Sequence, residues 1–103
     1  MKQVCGTAIK KPVVINWFLW RGYSESHIHE LEAWIHANGE KFEDVIDLSQ
    51  GKPRILTLEG ISYKLPDNYV IIRGVKGEYH PCELQIFNQT YEIDEAKLLK
   101  YEN

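Results

Sequence analysis

The chain has 103 residues and a mass of 12.1 kDa, the size of one domain with one modest core. A hydrophobic fraction of 44%, with three Trp, six Tyr and three Phe, excludes disorder throughout, and no apolar run approaches the ~20 residues of a membrane span. The net charge of −3 argues against a dedicated duplex-DNA binder, which carries a basic excess.

Met1–Lys11 carries lysines but no apolar h-region, so no secretory signal is expected. Cys5 and Cys82 make no disulfide framework and fit a reducing cytoplasm. The charge is unevenly spread. Residues 1–21 hold Lys2, Lys10, Lys11 and Arg21 and no acid, whereas residues 22–50 hold seven acids against Lys41. Such segments either attract each other within the fold, lie solvated, or serve as partner surfaces.

In chain order, Pro12–Trp20 is short, β-branched and aromatic, which predicts a central strand buried on both faces. Ser24 or Ser26 then caps a helix running to about Ala37. Ile28, Leu31 and Ile35 fall on one stripe of it, with Trp34 flanking, and Asn38-Gly39 supplies the stop. Val45–Leu48 and Arg54–Leu58 are expected as strands, and Ile61–Lys64 alternates as a half-exposed strand does. Leu65-Pro66-Asp67-Asn68 is a turn, and Tyr69–Arg73 is a strong strand. Gly74 and Gly77, each free to take positive φ, fold a tight hairpin into Glu78-Tyr79-His80, and Pro81 stops its pairing. Glu83–Asn88 forms a short helical turn, Thr90–Glu92 a last strand, and Asp94–Tyr101 a short C-terminal helix. The expectation is one α+β domain: an antiparallel meander of five to six strands packed by a main helix near residues 24–37, with residues 1–9 and 94–103 flexible.

Lys10-Lys11-Pro12-Val13-Val14-Ile15 followed by Trp20, and the stretch 66–92, share a pattern. The second includes Gly74-Val75-Lys76-Gly77-Glu78, then Pro81-Cys82, Phe87 and Thr90-Tyr91-Glu92. Together they resemble the two ends of small phage and prophage proteins of Gram-positive bacteria, the PGDYG type. The resemblance covers about a third of the chain. Asp67-Asn68 stands where that family has Gly-Asp, and Trp17 and Leu19 stand where smaller or polar residues are usual. The resemblance implies a phage or prophage origin and a related fold. It carries no assigned chemistry and no catalytic residue.

Candidate sites follow from the residues themselves. His29 and His36 lie seven apart on the helix with Glu32 between, but this is no known ligand spacing, and they read as a solvated face rather than a metal site. His80 and Cys82 alternate on an extended segment, where a thiolate–imidazole pair would make a nucleophile; a structural Cys is the commoner outcome. Arg73 and Lys76 flank a Gly-bearing turn, and with Tyr69, Tyr79 and His80 they form a candidate ligand site able to stack and clamp a nucleotide. No P-loop ending follows. Glu25, Glu30, Glu32, Glu43 and Asp44 form a candidate acidic partner surface. Trp17, Trp20 and Trp34 are mostly core, with one side of the first strand left for self-association or a partner.

The reading that follows is a non-enzymatic phage or prophage protein that binds and inhibits a host factor of a defence or regulatory system. The alternative is a small homo-oligomer that sequesters a nucleotide signal, and a Cys/His hydrolase comes third. No cofactor, duplex DNA or membrane partner is expected.

Overall fold

A computed structural model describes residues 4–9 and 11–94. Over those residues the chain is α+β, with six strands and three helices. The strands are β1 (Asn16–Trp20), β2 (Ile46–Asp47), β3 (Arg54–Leu56), β4 (Ser62–Lys64), β5 (Tyr69–Arg73) and β6 (Tyr79–Glu83). The helices are α1 (Glu25–Ala37), α2 (Phe42–Val45) and α3 (Leu84–Thr90). The strands form two antiparallel sheets, ordered β1-β5-β6 and β2-β3-β4, rather than one meander.

β5 is central in the first sheet, and its Val70, Ile71 and Ile72 are buried. Alternation sends Ile71 into a core with Trp20, Leu31, Trp34, Ile35, Val45, Ile46, Ile55, Leu65 and Tyr79. Val70 and Ile72 face the other way, onto Phe87 of α3, with Ile15, Trp17 and Leu19 packed around them.

Four expectations change. The first strand is shorter than Pro12–Trp20 and lies at a sheet edge, with Val13 45% and Val14 89% exposed. The cause is its partner: β5 ends at Arg73, opposite Asn16, so residues 12–15 have nothing to pair with. Pro81 does not stop the hairpin but sits opposite Ile71 within β6. β6 is an edge strand, where a missing N–H costs no ladder bond. Thr90–Glu92 is not a strand, because α3 runs to Thr90 and Tyr91 stacks on Phe87, one helical turn away, at 5.2 Å. Of the two hairpin glycines only Gly77 has positive φ. The Asp94–Tyr101 helix lies outside the described residues apart from Asp94.

α1 begins where expected, with the Ser24 hydroxyl accepting the His27 N–H at 3.1 Å. The middle of the chain folds differently from its weak pattern. α2 occupies Phe42–Val45 and hands directly to β2, and β3 stops at Leu56. There the Thr57 hydroxyl donates to the Ile61 carbonyl at 2.8 Å and accepts the Ile61 N–H at 3.1 Å, closing the turn.

Asn68 adopts φ 63°, and its N–H donates to the Trp20 carbonyl at 2.7 Å, tying the 65–68 turn to the end of β1. Asn tolerates this left-handed conformation; most side chains lose about 1–2 kcal/mol there. Asn68→Ala is therefore expected to lower stability by about 1 kcal/mol and Asn68→Gly to leave it within about 0.5 kcal/mol. Paired thermal melts check this; equal losses for both would place the role of Asn68 in its side chain instead.

Candidate functional site

A concavity lies between the Gly74–Gly77 turn, α2 and the end of β3. It encloses about 590 Å³ and is lined by Glu40, Asp44, Leu56, Arg73, Lys76, Glu78 and Tyr79 among others. Its architecture begins with register: Arg73 pairs with Tyr79 across β5 and β6, so both side chains share a face. Gly39, at φ +96°, then turns the chain out of α1. This delivers Asn38 and Glu40 to that same face.

The result is a closed polar network. Arg73 Nε and Nη2 both donate to Glu40 Oε1, at 3.3 and 2.9 Å. The Tyr79 hydroxyl donates to Glu40 Oε2 at 2.9 Å and accepts from Asn38 Nδ2 at 3.2 Å. The Glu40 hydrogen bond, chiefly, holds the Arg73 guanidinium more firmly charged than usual. Burial pushes the Tyr79 hydroxyl up to about 12, assisted by the Glu40 carboxylate and opposed by the hydrogen bond from Asn38.

The turn is satisfied in the same internal way. The Glu78 carboxylate accepts the Lys76 N–H at 2.9 Å and lies against Gly74, where a Cβ would collide with it. The Gly74 and Gly77 amides bond to the Glu78 and Gly74 carbonyls. Carboxylates of the chain itself thus stand where an anionic ligand would bind. Lys76, exposed on the rim, has no ion-pair partner among the described residues.

Of the five residues expected in a ligand site, the cleft gathers Arg73, Lys76 and Tyr79. Tyr69 is on the same face of β5 but four residues away, about 13 Å along the strand, packed against the core. His80 follows Tyr79 in β6 and so points to the opposite face. His80 and Cys82 do share that face, but no hydrogen bond joins them among the described residues. Burial, and then the Glu83 charge, push the Cys82 thiol up, away from the thiolate that nucleophilic attack requires.

The acidic residues separate into two groups. Glu30 is engaged: its carboxylate lies 3.1 Å from His27 Nδ1 and 3.6 Å from Arg21 Nη2. Glu25, Glu32, Glu43 and Asp44 have no ion-pair partner among the described residues. Glu25 and Glu32, two turns apart, share the outer stripe of α1 with the exposed His29 and His36. Among the described residues no group of three His, Cys, Asp or Glu is placed to hold a metal.

Sequence reasoning missed two residues. His27 is only 5% exposed, 5.0 Å from the Trp20 ring and 5.1 Å from Phe18. Its Nε2 accepts the Arg21 backbone N–H at 3.1 Å, which puts the proton of the neutral ring on Nδ1, facing Glu30. The spacing 27, 31, 34, 35 carries this signal, since it extends the apolar stripe by one turn. Glu40, the hub of the cleft, carries no such signal.

No protein-family model matches the chain, and no curated protein or solved structure is similar to it. No helix among the described residues is long and apolar enough to cross a membrane.

Proposed function

We propose that this is a non-enzymatic protein of phage or prophage origin that binds a host protein and inhibits it. The observation that carries this reading is the contrast between its charged surfaces. Arg73, the cation at the heart of the cleft, is neutralised from within, whereas Glu25, Glu32, Glu43 and Asp44 along α1 and α2 are left for a partner. Unpaired surface charge of one sign speeds encounter with a basic surface and selects among partners. The resemblance of residues 10–15 and 66–92 to small phage proteins supports the origin, and the Cys82 environment supports binding over catalysis.

A second reading, sequestration of a nucleotide, draws on the convergence of Arg73, Lys76 and Tyr79 on one cleft. There the ligand phosphate would displace Glu40 from Arg73. One experiment separates the two. Native mass spectrometry of protein from infected cells is compared for wild type, a Glu25→Lys/Glu32→Lys/Glu43→Lys variant and Arg73→Ala. Loss of a stoichiometric host protein in the charge-reversed variant alone, with loss of inhibition, is the expected result. A small mass released on denaturation, and lost only with Arg73→Ala, would replace the proposal with sequestration.

A further inference from the structure

The four sheet edges are guarded unequally. β6 carries Pro81 in its middle and Glu83 at its end, and it packs against β3 and β4. β2 has two residues; β4 has three, ending in the exposed Lys64. Proline, charge and shortness are the standard protections of an open edge. β1 has none of them. Asn16-Trp17-Phe18-Leu19-Trp20 is five residues long and uncharged. Of its backbone groups, only the Trp20 carbonyl has a backbone partner outside the β5 ladder among the described residues.

Residues 12–15, which pair with no strand among the described residues, lead into β1 as Pro-Val-Val-Ile, and Val14 is 89% exposed. On one face, Ile15, Trp17 and Leu19 only half-bury against Val70, Ile72 and Phe87. A strand added here would complete the hydrogen bonding and cover that row at once.

We propose that the occupant is β1 of a second copy, paired antiparallel about a twofold axis into a six-stranded sheet. An uncharged strand edge is complementary to itself in this arrangement and meets no like-charge repulsion along its length. The same twofold joins the two half-buried Ile15–Leu19 rows into one apolar cluster. Charge agrees at the ends. Antiparallel pairing carries Lys11 of one copy toward the Trp20 end of the other, where α1 begins with Glu25, an acid with no ion-pair partner among the described residues. Within one copy Lys11 has no ion-pair partner among the described residues. The open edge, the half-buried row and the basic start therefore have one common explanation.

The test is sedimentation velocity of the full chain over a wide dilution series, with amide hydrogen exchange in parallel. The expected result is a reversible species of twice 12.1 kDa, with amides of residues 13–19 more protected at high concentration. Val14→Lys, at a side chain that touches little in one copy, should weaken association by about tenfold or more without lowering the melting temperature at dilution. Lys11→Glu should weaken it further at low salt than at high salt. A wild type that stays at single-chain mass, or a dimer untouched by Val14→Lys, overturns the proposal. So does protection of residues 13–19 that appears only with a host protein, which would assign the edge to a foreign strand.

Discussion

Replacing Trp20 with alanine is expected to cost about 3–5 kcal/mol, a large part of the stability of any domain this size. Trp20 is fully buried, stacked on the His27 ring, and it ends the strand that holds β5 on one side. Its removal empties the largest buried side-chain volume and unsupports a histidine whose two nitrogens are both committed. The companion change sharpens the reading. The Trp20 indole N–H finds no hydrogen-bond partner among the described residues, and a buried orphan donor costs about 1–3 kcal/mol. Trp20→Phe removes that orphan along with part of the ring, so its loss should fall well below half that of Trp20→Ala. Urea unfolding of the three proteins measures both. If Trp20→Phe loses as much as Trp20→Ala, the indole N–H has a partner after all.

Glu40→Ala is expected to cost about 2–4 kcal/mol, through the groups it abandons rather than the contacts it removes. One carboxylate serves both Arg73 and Tyr79, so its loss leaves a half-buried guanidinium and a buried hydroxyl without their acceptor. The network also sets an alkaline limit. Tyr79 in the fold keeps its proton up to about 12, against the ordinary 10.0, so above pH 10 the folded chain binds more protons than the unfolded one. Its contribution is complete below pH 10 and is lost as pH rises towards 12. It amounts to about 2–3 kcal/mol at 1.36 kcal/mol for each pH unit. Tyr79→Phe should flatten this limb of the stability curve, read from urea midpoints between pH 8 and 11.5 and compared with wild type. An unchanged slope in Tyr79→Phe would mean that the hydroxyl is open to water.

These effects mark what could be read in advance. α1 and β5 were legible because periodicity states burial directly: Leu31 and Ile35 on one stripe, Val70 to Ile72 as an unbroken run. β1 was legible as a strand but not as an edge. An apolar run records that its faces are covered, not that a neighbour lies on each side. The cleft was half legible. Hairpin register brings Arg73 to Tyr79, and the same strand geometry separates Tyr69 from Arg73 and turns His80 away. Glu40 was beyond reach, because its bond to Arg73 spans 33 residues and depends on how a glycine redirects the chain after α1. Charge alone could not distinguish Glu30, tied to His27 and Arg21, from Glu25 and Glu32 beside it.

The pairing of β1 with β5 has a consequence during synthesis. Nearly half the chain separates Trp20 from Tyr69, and among the described residues β5 is the only strand to which β1 is bonded. As the polypeptide emerges, Asn16–Trp20 must wait, apolar and without its ladder, while α1 and the β2-β3-β4 sheet are made. Contacts so distant in sequence form late, and an exposed aromatic strand in the interval invites chaperones or aggregation. Translation that stalls between α1 and β5 would therefore leave a nascent fragment whose most aggregation-prone segment has already been made.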